Sequence, residues 1–455
     1  MPSPGDFPLF HLVRHHFDSH KLPDIPSAVQ RTLGGSGMAA GLQPASEIAI
    51  GVGSRGIANL AVIVRAAVDW WKAQGMRPFL VPAMGSHGAA TARGQAAVLA
   101  EYGITEATMG CPVRSSLAVV ELGRTGDGIP VVLDRAAYRA AGIMVCGRVK
   151  WHTDFSGALE SGLFKMLAIG LGKPAGAKSY HTCAYRMGLE TSGTGAPGLE
   201  AMIRSVGRKV LASGHILGGL AILEDANHDT AHVEAVPAAA MERREEELLA
   251  LAKTWMPRLP GDLDVVVVNE MGKNFSGSGL DTKVINRSVW GAINLWPGVP
   301  RVGRVFVRDL SPLSYGNATG IGMADVVHRR ILKKIRRRAT YINVLTSSQL
   351  AAIRTPVYFP ADRECLHAVC STVGRQNPAD VTVAWIANTL DLGLMACSAN
   401  LRAGLERNPR IEILGDARPL EFDAHGDLID WLATGGADFN PRGNSFPLTQ
   451  HFSSR

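Results

Sequence analysis

Residues 47–71 read EIAIGVGSRGIANLAVIVRAAVDWW, and this stretch indicates how the chain folds. Residues 47–52 are a short apolar run of the kind that forms a buried strand, and the glycines after it allow a tight turn. Beyond the turn, apolar residues recur every three to four positions, as in an amphipathic helix: Ile57, Leu60, Ala61, Val64, Ala67, Val68 and Trp71. The stretch therefore predicts a strand, a glycine-rich turn and a helix.

The same alternation of strand-like and helix-like segments continues toward the carboxyl terminus. A strand is predicted at 78–81, a helix from about Thr91, and further strands at 117–121, 130–133 and 142–147. Such β-α-β alternation is typical of a mostly parallel sheet with helices on both faces.

A second series of strands and helices begins at residues 264–268, after a charged helix and the prolines Pro257 and Pro260. We therefore predict an α/β fold of two α/β domains with mostly parallel sheets that enclose an interdomain cleft. Residues 1–260 would form the N-terminal domain. Residues 261–455 would form a smaller C-terminal domain that closes the cleft.

The composition is that of a globular protein. Of 455 residues, 46% are hydrophobic and 19% are charged, which excludes a disordered chain. No apolar stretch reaches the roughly 18 residues of a membrane span, and the first residues do not resemble an export signal. Six cysteines without a Cys-x-x-Cys pair fit a reduced protein, so we expect a cytoplasmic location.

The surplus of positive charge lies in one segment. Lys and Arg number 47 and Asp and Glu 40, for a net charge of +7. Residues 329–338, RRILKKIRRR, contain seven of these bases, so the rest of the chain is formally neutral. The run could bind nucleic acid. Ile331, Leu332 and Ile335 instead favour a helix with one buried side and a solvated basic side, and the run has no aromatic residue to stack on bases.

The glycine-rich turn at 51–56 matches the GxGxxG pattern of dinucleotide-binding folds. NAD binding also needs an acid at the end of the second strand, where this chain has Val81-Pro82-Ala83-Met84. An NAD-dependent oxidoreductase is thus an alternative that lacks its acidic partner. The turn can still bind an anion through backbone N–H groups, and Arg55 within it can clamp a carboxylate with two hydrogen bonds.

Two histidines stand close to glycines. His87 follows a strand and lies between Gly85 and Gly88, where small neighbours let a ligand approach an imidazole that titrates near neutral pH. His181 follows residues 170–179, which resemble a phosphate-binding loop but fail its pattern. A single imidazole at that position could ligate a metal.

The stretch from Lys150 to Met166 is the densest in chemically useful side chains. A helix predicted from about Gly157 would place a nearly bare face toward a planar ligand, with one amine at its edge: Ala158, Ser161, Gly162 and Lys165. Close packing against another helix is the alternative for this face.

Taken in chain order, Arg55, His87, His152, Lys165 and His181 resemble the functional residues of the nickel-pincer lactate racemases (LarA-like proteins). The match covers roughly residues 45–290, and the spacing of the last three residues is its specific part. The resemblance implies an N-terminal α/β domain and a smaller C-terminal α/β domain around a cleft.

The resemblance also implies a cofactor site. Lys165 would hold a nickel-pincer nucleotide (pyridinium-3,5-bisthiocarboxylic acid mononucleotide) covalently as a thioamide, and His181 would be the nickel ligand. Ser161, Gly162 and Lys273 are expected to contact the cofactor. The enzymes that synthesise this nucleotide would then be partners of the protein.

The reaction implied by the resemblance is inversion at C2 of a 2-hydroxy acid. One histidine removes the hydroxyl proton while the C2 hydride moves to the cofactor, and the flat 2-oxo acid can receive the hydride on either face. Inversion needs a base on each side, which His87 and His152 would supply. Arg55 would hold the substrate carboxylate. The predicted function is that of a nickel-dependent racemase or epimerase, an isomerase.

This sequence departs from lactate racemase in three places. The interval from His152 to Lys165 is about three residues longer than in lactate racemase. Ser278 and Thr282 stand where the family pattern has a tyrosine and a lysine, and either Lys273 or Lys283 could supply the second cation. These changes would reshape the cleft, so a larger 2-hydroxy acid or a sugar acid epimerised at C2 is expected rather than lactate.

Overall fold

The computed structural model describes residues 7–53, 56–192 and 198–434. The strands of these residues are β1 (Phe10–His15), β2 (Glu47–Val52), β3 (Arg77–Pro82), β4 (Val119–Arg124), β5 (Pro130–Asp134), β6 (Gly142–Arg148), β7 (Ile216–Glu224), β8 (Thr230–Pro237), β9 (Leu263–Met271), β10 (Val302–Leu310), β11 (Val326–His328), β12 (Val357–Phe359), β13 (Val383–Ile386), β14 (Leu394–Ser398) and β15 (Ile411–Arg418).

The helices are α1 (Ile25–Gly34), α2 (Leu60–Ala73), α3 (Ala92–Glu101), α4 (Glu106–Met109), α5 (Arg135–Tyr138), α6 (Leu163–Lys165), α7 (Lys173–Ser192), α8 (Gly198–Leu211), α9 (Met241–Trp255), α10 (Arg330–Lys334), α11 (Arg337–Ser347), α12 (Asp362–Cys370), α13 (Arg402–Glu406) and α14 (Trp431–Thr434). A π-helical turn at Met166–Gly170 joins α6 to the approach of α7. No helix among the described residues is both long enough and apolar enough to cross a bilayer.

The first sheet has the strand order β3-β2-β6-β7-β8. Its first three pairs are parallel, and β8 joins the edge as an antiparallel strand. Successive residues of β2 enter different hydrophobic clusters: Ala49 packs on the side of α8 and α9, and Ile48 and Ile50 on the side of α2. Helices therefore bury both faces of this sheet, as a parallel sheet requires.

The second sheet has the order β12-β11-β10-β9-β13-β14-β1-β15. The pairs from β12 to β13 are parallel, and those from β13 to β15 are antiparallel. Together the sheets form a mixed α/β fold in which most strand pairs are parallel, so the predicted fold class is confirmed.

The N-terminal strand belongs to the second sheet. β1 lies between β14 and β15, although it precedes every strand of the first sheet in the chain. The two series of strands are also joined by the segment between Trp255, where α9 ends, and Leu263, where β9 begins. The division into domains of 1–260 and 261–455 stays a prediction, and any such division must assign β1 to the second sheet.

Two sequence-based expectations differ from the structure. β4 and β5 pair only with each other, as an antiparallel hairpin, and are not strands of the parallel sheet.

The basic run is not one helix, because the chain is extended at Ile335 and Arg336 between α10 and α11. The Arg336 N–H donates to the Gly316 carbonyl at 2.8 Å, which removes it from the helix ladder. Ile331 is buried and most of the bases are exposed, as expected of a solvated face.

Candidate active site

Strands β2, β3 and β6 end at one edge of the first sheet. Val52 lies opposite Pro82 on one side and Cys146 on the other. The chain passes from β2 to β3 on one side and later returns to β6 on the other, so its connections diverge here. Parallel α/β sheets bind ligands in the crevice that such a divergence opens at the carboxyl ends of the strands. The loops that follow these strands carry most of the sequence-predicted site residues.

Arg55 lies outside the described residues, but the backbone beside it is described. The Gly56 N–H donates to the Tyr102 hydroxyl at 2.9 Å, and the Ala58 N–H donates to a Glu224 carboxylate oxygen at 2.8 Å. A pyrophosphate bound at this turn would need such N–H groups. In the described part of the turn they are already used, which disfavours the NAD interpretation.

His87 lies in the loop after β3 and is half-buried. The loop turns tightly, since Gly85 and Gly88 have φ angles of 57° and 62°. A Cβ on Gly88 would lie 2.4 Å from the carbonyl carbon of Gly94, so only glycine fits there. The Gly85 N–H donates to the carbonyl of Gly170, the last residue of the π-helical turn, at 3.2 Å. The His87 loop therefore packs beside the segment that follows α6.

The predicted helix from about Gly157 is wrong. Helix α6 begins only at Leu163, and an irregular loop precedes it. The cause is the buried carboxylate of Glu160, which accepts hydrogen bonds from the backbone N–H of His152 and, at 3.1 Å, of Gly157. Such side-chain-to-backbone bonds compete with a helical ladder. The bare helix face expected around Lys165 therefore does not form.

Lys165 nevertheless lies beside Ser161, with 3.5 Å between Nζ and Oγ. Ser161 is paired with Lys150 by two backbone hydrogen bonds of 2.9 and 3.1 Å. Gly162 instead packs against Glu245. A Cβ on Gly162 would lie 2.1 Å from a carboxylate oxygen of Glu245.

Two half-buried lysines of this segment have lowered pKa values. Burial lowers the pKa of Lys165 to about 8, although the Asp154 carboxylate raises it. Burial, and then the Arg148 charge, lower the pKa of Lys150 to about 8 as well. An amine with such a pKa is partly unprotonated near neutral pH and can act as a nucleophile.

His152 is buried and uncharged. Burial is the main reason that its pKa lies well below the usual value, followed by the charges of Lys165 and Lys283. Its Nδ1 accepts the Asp154 N–H at 3.0 Å, and its ring stacks on Phe155 at 4.6 Å. In the neutral ring the proton is therefore on Nε2.

His181 lies on α7 and lines a small cavity. The residues around this cavity come from both halves of the chain: Asp154, His181, Ala184, Tyr185, Leu199, Trp290, Ser347 and Gln349. Burial lowers the pKa of His181, Asp154 acts against this shift, and Lys165 adds to it. The ring is thus neutral at pH 7, which is the form of imidazole that binds a metal.

The second half of the chain closes over the cavity. The Gln349 amide donates to the Asp154 carboxylate, and Trp290 stacks on Tyr185 with 5.5 Å between ring centroids. Gln349 and Trp290 had no signal in the sequence, because nothing in their own neighbourhoods points to a site.

Lys283 also reaches across from the second half. It is buried, and its ammonium donates to the carbonyls of His152 and, at 2.6 Å, of Phe155. Lys273, the other cation considered from the sequence, is half-buried and donates to the Gly277 carbonyl. Lys283 is the one whose charge lowers the pKa of His152.

Another group of possible metal ligands lies in the second half, formed by His328, Asp362 and Asp427. Two guanidinium groups already compensate these carboxylates. Arg308 lies 2.7 Å from Asp362, and Arg330 lies 2.8 Å from Asp427. The group is therefore best described as a buried ion network.

Comparison with known proteins finds similarity only among solved structures. No protein-family model and no curated protein matches the chain. Among solved structures, the chain is similar to the lactate racemase apoprotein from Thermoanaerobacterium thermosaccharolyticum, with 12% sequence identity and a TM-score of 0.49. The match covers 84% of this chain and 98% of that one.

Proposed function

We propose that this protein is an isomerase, a racemase or epimerase that inverts C2 of a 2-hydroxy acid or sugar acid. The observation that carries the proposal is the convergence of His152, Lys165 and His181 around Asp154 at the carboxyl edge of a parallel sheet. The charge of Lys165 lowers the pKa values of His152 and His181, and the Asp154 carboxylate raises those of Lys165 and His181, so the groups lie close together. Two neutral imidazoles and one weakly basic amine are the groups that this chemistry needs.

The residues present fit a nickel-pincer nucleotide. The lowered pKa of Lys165 suits an amine that must be acylated. No hydrogen bond or ion pair engages the His181 ring within the described residues, and its neutral form is the metal-binding one. Lys165 would hold the nucleotide and His181 its nickel; when bound, this group would supply the acceptor for the C2 hydride.

His152 and His87 would handle the hydroxyl proton. Because Nδ1 of His152 accepts the Asp154 N–H, Nε2 carries the ring proton and would donate a hydrogen bond to the C2 oxygen. To take up the hydroxyl proton at Nε2, the ring would first adopt the tautomer protonated on Nδ1 and give up the Asp154 N–H bond. Accepting a proton becomes easier for His152 once the charge of Lys165 is removed by acylation. His87, on the loop that packs beside Met166–Gly170, would serve the opposite face, and Arg55 would hold the carboxylate.

Mass spectrometry of the peptide that contains Lys165 tests the tether. We expect a mass increase on Lys165 in protein made together with the cofactor's biosynthetic enzymes, and none in the Lys165→Arg variant. An unmodified Lys165 in nickel-replete protein from such cells would refute the tether.

The reaction is tested with a panel of single-enantiomer 2-hydroxy acids and C2 sugar acids, analysed by chiral chromatography. We expect inversion of at least one compound by loaded protein, and a loss of about 100-fold or more in His152→Gln and His87→Gln. Loaded protein that inverts no member of the panel would contradict the proposed activity.

A further inference from the structure

Lys150 carries a charge that the described protein does not neutralise. It is half-buried, yet its ammonium has no hydrogen-bond or ion-pair partner within the described residues. Three other buried or half-buried lysines each have a hydrogen-bond or ion-pair partner. Lys173 lies 2.8 Å from Asp134, Lys253 lies 2.6 Å from Glu160, and Lys283 donates to backbone carbonyls.

The carboxylates nearest Lys150 are committed to other groups. Asp281 accepts hydrogen bonds from the Trp151 indole at 3.1 Å and from the Lys283 N–H at 2.9 Å. Glu224 pairs with Arg148 and accepts an N–H from the turn after β2. Neither forms an ion pair with Lys150, so each attracts it only from a distance.

The backbone places Lys150 on the same face as a second cation. Lys150 and Ser161 exchange both backbone hydrogen bonds, and residues paired in this way point their side chains to the same side of the ladder. Lys165 reaches the Ser161 hydroxyl at 3.5 Å, so its ammonium lies on that side too. Two ammonium groups and a hydroxyl donor therefore share one face at the ligand-binding edge of the first sheet.

We propose that Lys150, Ser161 and Lys165 form a binding site for an oxyanion, a carboxylate or phosphate group carried by a ligand in the cleft. The site goes beyond the isomerase activity, because it concerns anion binding by the unloaded protein. If Lys165 becomes acylated, Lys150 is the cation that remains beside the hydroxyl.

The lowered basicity of both lysines agrees with such a site. Burial is the main cause of both lowered pKa values, and the Lys165 charge adds to the shift of Lys150, whereas a bound anion would favour both protonated forms. Binding should therefore take up protons near pH 8, and should be tighter at pH 6.5 than at pH 9.5.

Isothermal titration of the unloaded full-length protein with inorganic phosphate and with malonate tests the site. We expect saturable binding that is weakened about tenfold or more in Lys150→Met, retained in Lys150→Arg, and unchanged in Lys333→Met, which removes an exposed lysine of the basic run. A loss for phosphate alone would identify the phosphate group of a nucleotide as the occupant. A loss for malonate as well would show a site that accepts a carboxylate or a phosphate group.

Thermal unfolding separates a binding role from a structural one. Because Lys150 is unpaired, Lys150→Met should melt at or above the wild-type temperature without phosphate, and phosphate should stabilise this variant less than the wild type. Equal affinities of wild type and Lys150→Met for both anions would overturn the proposal, as would a destabilised variant that binds both normally. Neither result depends on isomerase turnover, so the two proposals can fail separately.

Discussion

After burial, the charge of Lys165 is a further reason that the pKa values of His152 and His181 are lowered. It is the largest charge contribution to the lowered pKa of His152, and it also lowers that of His181. Acylation of Lys165 would abolish the charge. If Lys165 holds a cofactor as proposed, the covalent step would therefore make both imidazoles more basic and would couple loading of the site to its acid-base chemistry.

The variant Lys165→Met isolates this effect in unloaded protein. We expect the pKa of His152 to rise toward its ordinary value, because one repelling cation is gone while burial remains. NMR titration of histidine-labelled protein measures the pKa, and His152→Gln identifies the resonance among the 14 histidines.

Lys333→Met is the control, since it removes an exposed lysine outside the cluster. It should leave the His152 titration unchanged. If Lys165→Met leaves it unchanged too, the electrostatic coupling described here is absent.

At the level of secondary-structure elements, the site depends on two irregular loops rather than on helices. The loop after β6 is shaped by Glu160. Its buried carboxylate accepts a hydrogen bond from the backbone N–H of Gly157 in the same loop and pairs with the ammonium of Lys253. The loop after β3 is shaped by Gly88, where a Cβ would meet the backbone of Gly94. Each loop holds one of the proposed acid-base histidines.

Substitution of Gly88 by alanine tests the second loop. A Cβ at Gly88 would meet the backbone of Gly94 at 2.4 Å, and the left-handed backbone adds strain of about 1 kcal/mol. We expect Gly88→Ala to displace His87, to lower activity about tenfold or more, and to lower the urea midpoint.

Gly75→Ala is a matched control, because Gly75 has a φ of 76° and no atom within 4 Å of a Cβ. It should carry the backbone strain alone and keep activity. Similar activity in the two variants would show that the tight turn does not position His87.

For the molecule as a whole, closure of the cleft depends on contacts between the two series of elements. Lys283 makes one of these contacts, because its ammonium binds the loop that holds His152 and lies 4.1 Å from the ring centroid of Trp296. The position of β1 in the second sheet ties the start of the chain to its later half. The molecule therefore positions the proposed catalytic groups through contacts distant in sequence.

Removal of the Lys283 ammonium should loosen this closure. Lys283→Met leaves buried carbonyls at His152 and Phe155 without their donor, which costs about 1–3 kcal/mol for each unsatisfied group. We expect a lower urea midpoint and faster proteolysis at 256–262, with Lys333→Met behaving as wild type. A wild-type urea midpoint in Lys283→Met would argue against this role.

The sequence sufficed for features that depend on local patterns. Apolar patterning predicted β2, β3, β6 and α2, because burial of an element imposes such a pattern wherever the element lies. The order of His87, His152, Lys165 and His181 predicts a site, which stays a prediction, and the structure brings His152, Lys165 and His181 near one another.

Only the tertiary structure decided how those side chains meet. The predicted helix from Gly157 failed because Glu160 finds buried partners at Lys253 and in the backbone, a competition invisible to periodicity. The cleft wall from Gln349 and the uncompensated charge of Lys150 depend on residues distant in sequence. Local patterns fix which face of an element is buried, whereas the partners of a buried polar group are fixed by long-range packing.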